Sequence, residues 1–486
     1  MTCKYRESCY NNIKYHGKVC LQERILPMSV RAKLYQFWMK RRPKSLSTTK
    51  IIAAAFALII LLGTLLLNLP GASRNGVSVG FLSALFTATS ATCVTGLSLF
   101  DTWSQWSGFG QIVLLCLIQI GGLGFMSAAT LIVFILRRRI GLKQRLVMAQ
   151  ALSVGDINGI VRLQKMVLKG SFLIEGMGAV ILFLRFLPEY GWVQALKWGV
   201  FHSVSAFCNA GFDIFGRLEP GSSVMCFQSD PLVLITLMAL IVVGGLGFLV
   251  WEEILEKKRF RDFSVYTRLV LVTTASLILS AWVVICVLEW NNPATLGAMS
   301  LPDKLLNGLF QSVTLRTAGF ASVDQGLLTD GGKAVSLIYM LIGGSSGSTA
   351  GGLKTVTFMV LVLFLASRAR GRSRVCVFER TIPQGQVLDA MTIAFMMVSL
   401  AMLGGIFLSA TSPVAFTDAL FEAVSALGTV GLTAGATGSL SIASQILIII
   451  YMYFGRVGVL TISMGFLVGD KAEERFRYAE TNLLIG

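Results

Sequence analysis

Long uncharged apolar runs alternate along this chain with shorter segments in which Ser, Thr, Asn and Gly interrupt the apolar residues. A run of about 20 apolar residues has the length needed to cross a hydrocarbon layer as a helix. Ile51 to Leu69 is such a run and carries no charge. The order long span, short helix, Gly-bearing loop, long span recurs four times. It predicts Ile51–Leu69, Gly80–Ala91, Thr92–Leu97 and Gln111–Leu136, then Val167–Leu187, Val193–Ala206, Cys208–Phe212 and Pro231–Trp251. The third unit reads Leu269–Leu288, Pro302–Thr314, Leu315–Phe320 and a segment from Lys333 to Leu365. The fourth reads Ala390–Thr411, Pro413–Ala426, Gly428–Leu432 and Ile442–Val468.

A helix of roughly a dozen residues is too short to cross a bilayer, so the four short helices must enter and turn back. Ser412-Pro413 and Ser300 to Pro302 supply start signals for two of them. Non-helical backbone at membrane depth is tolerated only when it is buried in protein or lines water. Four such loops imply one shared aqueous path. The expectation is an all-α polytopic membrane protein of four tandem helix–pore loop–helix repeats around one central pore, with eight full spans and four re-entrant helices. Its segments are an N-terminal extension 1–50, repeats 51–140, 141–255 and 256–370, and a fourth repeat with a short tail, 371–486.

The loops repeat in sequence as well as in order. FTATSATCVTGL (Phe86–Leu97) returns as FHSVSAFCNAGF (Phe201–Phe212), FQSVTLRTAGF (Phe310–Phe320) and FEAVSALGTVGL (Phe421–Leu432), each with Gly in the second-to-last place. The second spans echo one another at Gly121-Gly122, Gly244-Gly245, Gly343-Gly344 and Gly455 to Gly458. Small residues at such offsets let helices approach closely, and packing is the reading for most of them.

Composition agrees: 54% of residues are hydrophobic and 14% charged. The net charge of +17 would suggest nucleic acid in a soluble protein. However, 33 of the 42 Lys and Arg lie before the first span, after the last or on alternate connections, so the charge reads as topology with cytoplasmic termini. Nucleic-acid binding is not expected. The first 50 residues lack a secretory signal. With nine scattered Cys and two His, no zinc or haem constellation and no organic cofactor are expected.

A cation leaving water exchanges its hydration shell for fixed oxygens, and rings of backbone carbonyls supply them. Gly permits the positive φ that brings backbone close to an ion. Gly96, Gly211, Gly319 and Gly431 at equivalent places therefore suggest a four-sided filter in one chain. Its backbone would come from Val94, Thr95, Gly96, Asn209, Ala210, Gly211, Thr317, Ala318, Gly319, Thr429, Val430 and Gly431. Each preceding helix would aim the negative end of its dipole at the ion. Asp101, Asp213, Glu219, Asp324, Asp418 and Glu422 fall near the loops on the outer side, where they either concentrate cations or stand as scattered solvated carboxylates. His202 and Glu175 are read as structural, and Arg316 as bracing the third loop from behind.

These loops, with CNAGF, RTAGF, GTVGL and GGSSGSTAGGLK (Gly343–Lys354), resemble the Trk/Ktr/HKT superfamily of potassium transporters from Ile51 to the C-terminus. Without an additional N-terminal helix pair, the chain is most similar to the Ktr (NtpJ-like) membrane subunit. The resemblance implies potassium uptake across the plasma membrane by a homodimer with a pore in each protomer, and a cytoplasmic nucleotide-binding ring as partner. In the superfamily a Ser in place of the first-loop Gly accompanies sodium transport. Gly96 favours potassium, with sodium as a modulator, and a sodium-permeable or poorly selective transporter is the alternative.

The same resemblance makes Gly343, Gly344, Ser345, Ser346, Gly347, Ser348, Thr349, Ala350, Gly351 and Gly352 an intramembrane gating loop. Ser346 stands where family members often carry Pro, leaving the loop's stiffness open. Each Gly costs a helix about 1 kcal/mol relative to Ala, so the interruption follows from the residues alone. The stretch is one residue out of register for a phosphate-binding loop and follows no strand. Lys354 and Arg456 place cations within or beside membrane segments, where charge is rare and functional. Arg456 is expected either to enter the pore below the filter and hold the loop's carbonyls, or to pair with a buried acid. An intramembrane enzyme is disfavoured because no predicted full span contains Asp, and a secondary transporter of organic solutes would favour inverted halves. The basic stretches Arg137–Arg145 and Arg368–Arg374 are candidate contacts for a cytoplasmic partner or for anionic lipid.

Overall fold

The computed structural model describes residues 48–124 and 160–458. Residues 1–47 of the N-terminal extension, the stretch Arg137–Arg145, the C-terminal parts of Gln111–Leu136 and Ile442–Val468 and the C-terminal tail lie outside the described residues. The described elements are helical apart from one two-stranded hairpin.

The first unit contains α1 (Thr48–Leu67), the short helix α2 (Phe81–Cys93), a one-turn helix α3 (Thr102–Gln105) and α4 (Gly108–Leu123). In the second, α5 (Ile160–Phe207) is a span and a short helix joined at Gly191, whose φ of 74° no helix interior adopts. It is followed by α6 (Pro231–Gly245) and α7 (Phe248–Glu256). The third holds α8 (Val265–Glu289), α9 (Leu301–Thr314), α10 (Asp330–Leu341) and α11 (Thr355–Ala369). A hairpin of β1 (Cys376–Val377) and β2 (Arg380–Thr381) leads to α12 (Gln384–Thr411), α13 (Phe416–Gly428) and α14 (Ile442–Val457).

Helix starts follow local chemistry. Ser300 accepts the Asp303 amide ahead of α9, with Pro302 in the first turn, and Asp230 accepts the Leu232 and Val233 amides ahead of α6, with Pro231 in the first turn. These satisfy amides that a helix N-terminus otherwise leaves unpaired.

Four described helices are long and apolar enough to cross a membrane, and a fifth span results if α6 and α7 count together across their 94° bend. The long helices carry exposed apolar faces, with Leu58, Leu65, Leu173, Leu184, Phe395 and Leu403 open to the surroundings. A water-soluble protein would hide such stripes; against lipid they cost nothing. Inside, Phe86, Phe310 and Phe421 from the short helices are fully buried, with Phe212 and Phe320 from the loops beside them.

The predicted second spans are continuous except in the third unit; the structure also breaks the second, and the described helices of the first and fourth end within the predicted spans. Pro231–Trp251 is two helices meeting at Gly247 (φ 95°), while α4 ends at Gly124 (φ 81°) and α14 at Gly458 (φ 97°). Positive φ ends an α-helix and is cheap only for Gly.

Candidate functional site

The four loops meet. A Cβ built on Gly96 would lie 2.6 Å from the Ala210 carbonyl oxygen, one on Gly211 would lie 2.8 Å from that of Ala318, and one on Gly319 would lie 2.6 Å from that of Val430. A Cβ on Gly431 would strike the Thr95 carbonyl, which closes the circle. Each Gly thus packs on the carbonyl preceding the Gly of the next loop, in chain order, and no side chain fits between them. The backbone repeats as well. Val94, Asn209, Thr317 and Thr429 have φ of 56°, 58°, 63° and 51°, and the glycines two residues on have 96°, 68°, 81° and 90°. Left-handed conformations at non-Gly residues cost energy and persist only where the surroundings impose them.

The imposing groups are hydroxyls at the fifth position of each copy. Ser90 and Ser425 each accept the amide of their loop's Gly, Gly96 and Gly431, both at 3.1 Å. Ser205 and Thr314 instead donate to the carbonyls of Phe212 and Phe320, both at 2.6 Å. These bracing residues were part of the repeated motif, but its pattern alone assigned them no role. The second-span glycines do pack: a Cβ on Gly121, Gly244 or Gly455 would strike the carbonyl of Thr92, Phe207 or Leu427 at the end of a short helix.

On one side of the ring lies a cavity of about 390 Å³, lined by Gly96, Gly211, Gly319 and Gly431 and by three carboxylates, Asp101, Asp213 and Asp324. Burial, with Asp101 nearby, pushes the Asp213 carboxyl up to about 7. Glu219, Asp418 and Glu422 do not line it. Asp418 pairs with Lys333 at 2.8 Å. Glu422 is a correction to the outer-mouth reading: it is fully buried, accepting the Thr437 hydroxyl at 2.7 Å, the Ala434 amide at 3.2 Å and the Thr433 hydroxyl. The chain after the fourth loop folds back onto it.

On the other side sits the Gly343–Gly352 loop between α10 and α11. The Gly343 amide donates to Leu353 at 2.8 Å, the Ser345 amide to Gly245 at 3.0 Å and the Thr349 amide to Gly244 at 3.3 Å. The Gly347 carbonyl accepts the Phe248 amide at 2.9 Å, and the Ser346 carbonyl accepts the Tyr266 hydroxyl at 3.0 Å. The Ser348 hydroxyl donates to the Ser345 carbonyl at 2.7 Å, and the Thr349 hydroxyl lies 3.5 Å from the Asn209 side-chain amide. A Cβ on Gly351 would strike the Thr429 side chain, and one on Gly352 would lie 3.2 Å from the Gly428 carbonyl. The broken ends of the second unit thus grip the loop directly against the second and fourth copies of the ring.

Lys354 Nζ donates to the Ala350 carbonyl at 2.8 Å. Arg456 donates from Nη1 to the Thr349 carbonyl and from Nη2 to Gly121 and, at 3.0 Å, to Gly122. No ion pair among the described residues involves Arg456. Its partners are the carbonyls of the Gly-rich loop and of the end of α4.

Three other residues are placed by the structure. Glu175 is buried and accepts the Gln119 side-chain amide at 2.9 and 3.1 Å, tying α5 to α4. His202 donates from Nδ1 to the Trp198 carbonyl at 2.8 Å and accepts the Ile214 amide at Nε2 at 3.2 Å, so it holds the strand of chain after the second loop as well as packing. Arg316 is buried, but its Nε and Nη2 have no partner among the described residues, so no bond from these atoms braces the third loop.

Long helices with apolar outer faces, and four short helices whose following loops meet backbone to backbone, define an all-helical multi-pass membrane protein. The family model described as "TrkH: Cation transport protein" matches residues 18–475, and the chain belongs to this family of transporters, not to an enzyme family. It is 40% identical over 92% of its length to the potassium/sodium uptake protein NtpJ of Enterococcus hirae, 99% of which is covered. Identity to the Ktr system potassium uptake protein B of Bacillus subtilis is 39% over 88% of this chain and 94% of that protein. The crystal structure of the potassium transporter TrkH from Vibrio parahaemolyticus shares the fold at TM-score 0.68 and 17% identity, with 88% of this chain and 86% of that chain covered. The protein is therefore a membrane cation transporter.

Proposed function

We propose that the protein takes up potassium across the plasma membrane through the carbonyl ring, with the Gly-rich loop and Arg456 as its gate. The observation that carries this reading is the circle in which each loop Gly rests on the next loop's carbonyl. Carbonyl dipoles brought this close replace the hydration shell of a monovalent cation without a fixed charge that would hold it too tightly to leave. The ions are those in the names of the NtpJ and Ktr relatives. Asp101, Asp213 and Asp324 raise the local cation concentration on the outer side. On the inner side, the Thr349 carbonyl held by Arg456 sets a peptide and a positive charge in the path.

The termini are assigned to the cytoplasm by the distribution of Lys and Arg. A homodimer with a cytoplasmic nucleotide-binding ring is proposed from the family resemblance, and sodium is kept as a modulator. Sodium permeation is the second reading, supported by the potassium/sodium name of the NtpJ relative. The test is flux into proteoliposomes with potassium against sodium, for the intact protein and Gly96→Ser. Potassium preference in the intact protein and its loss in the variant are expected. Equal permeation of both ions by the intact protein would move the assignment to a poorly selective transporter.

A further inference from the structure

The connection from α11 to α12 has a construction that ion passage does not call for. Arg368, Arg370, Arg372, Arg374 and Arg380 are all exposed within thirteen residues, and no ion pair among the described residues involves them. Glu379 at the hairpin tip and Asp389 on α12 are the acidic residues of this connection and of the start of α12. The cluster is rigidly mounted. Val375 is buried with Val360, Val387 and Ala390, and the Ile382 amide donates to the Val375 carbonyl at 2.9 Å.

The hairpin tip is strained. Phe378 and Glu379, between the paired residues Val377 and Arg380, have φ of 44° and 64°. Such a two-residue turn favours Asn-Gly, because both positions are left-handed. Here the chain keeps a bulky aromatic at the first of them. Phe378 is 40% exposed, yet the Arg268 guanidinium from α8 lies 5.0 Å from its ring centroid, and Arg268 Nε is buried without a hydrogen-bond partner. The cluster therefore combines unpaired guanidinium groups with an exposed ring.

Its position selects the partner. Val362 and Leu365 on α11 are exposed, and Arg368 follows at the same three-residue step, so the first arginine continues the apolar outer face of the helix. A lipid-facing stripe that ends in arginines and an aromatic reaches the level of the headgroups. Runs of four or more basic residues directly beyond a span attract anionic lipid, and guanidinium groups bond phosphate in a bidentate way. We infer that Arg268, Arg370, Arg372, Arg374, Arg380 and Phe378 form a binding surface for the phosphate headgroup of an anionic phospholipid. The surface is independent of which cation the pore passes.

Native mass spectrometry of the full-length protein with phosphatidylglycerol and phosphatidylcholine offered together tests this, for the intact protein, for Arg370→Gln/Arg372→Gln/Arg374→Gln and for Phe378→Ser. The intact protein is expected to retain phosphatidylglycerol preferentially. The triple variant should bind it about a hundredfold more weakly, at roughly a fivefold factor for each arginine near an anionic surface. Phe378→Ser should weaken retention of both lipids while keeping the preference for phosphatidylglycerol. Unchanged phosphatidylglycerol retention in the triple variant, or no preference over phosphatidylcholine in the intact protein, would overturn the inference. So would a triple variant that keeps the lipid but loses a soluble cytoplasmic protein, which would make the surface a protein interface.

Discussion

At the scale of the residue, the glycines and the hydroxyls of the repeated motif divide the work. Gly96, Gly211, Gly319 and Gly431 leave room for the neighbouring carbonyl, and Ser90, Ser205, Thr314 and Ser425 hold the backbone in that shape. The glycines were legible because four of them recur in register. The hydroxyls were not, because their partners lie across a turn and differ between copies. Asp213 is expected to give the site a pH dependence. Burial, and Asp101 beside it, raise its carboxyl to about 7, so it is neutral below that pH and negative above it. Uptake at low external potassium should therefore fall as external pH drops from about 8 to about 6, because the outer cavity loses negative charge. Asp213→Asn should flatten that profile and lower uptake at the upper end, measured as initial rate against pH. A profile unchanged in the variant would remove Asp213 from the cavity's electrostatics.

At the scale of the element, the breaks matter more than the helices. The 94° bend between α6 and α7 frees the ends that hold the Gly-rich loop, whose Gly347 carbonyl accepts the first amide of α7. The sequence shows the loop of the third unit because its glycines are dense, whereas the positive-φ glycines Gly124, Gly247 and Gly458 are single glycines inside apolar runs that read as packing sites. Helix ends buried in a membrane protein need partners for their carbonyls, and Arg456 supplies them at the end of α4. Charged hydrogen bonds contribute about 1.5–3 kcal/mol each. Arg456→Ala should therefore release the loop and raise resting potassium flux in proteoliposomes at least roughly tenfold, with selectivity over sodium preserved. A rate equal to that of the intact protein would exclude Arg456 from gating.

At the scale of the whole molecule, carboxylates fasten distant segments together, Glu289 within the third unit and others between units. Glu289 at the end of α8 is fully buried, and its carboxylate accepts the Thr329 backbone amide at 3.0 Å and hydroxyl at 2.6 Å, the Asn292 side-chain amide at 2.7 Å and the Thr295 hydroxyl at 2.8 Å. Removing it strands these donors, so Glu289→Ala should cost about 3 kcal/mol. The result should be a lower thermal midpoint in detergent with unchanged ion preference in the fraction that folds. Glu175 plays the matching part between α5 and α4, and Lys333 with Asp418 links the third unit to the fourth.

The chain's own pattern determined the four short helices, the loop glycines after them and the interrupted helix of the third unit. Each of these follows from local rules: the length of an apolar run, the φ that Gly allows and the cost of Gly in a helix. The tertiary structure alone decided that the loops close head to tail in chain order, that Arg456 reaches carbonyls on two different units, and that Glu422 is buried while Asp101, Asp213 and Asp324 line the cavity. Those depend on residues tens to hundreds of positions apart arriving within hydrogen-bond distance, which no local pattern encodes.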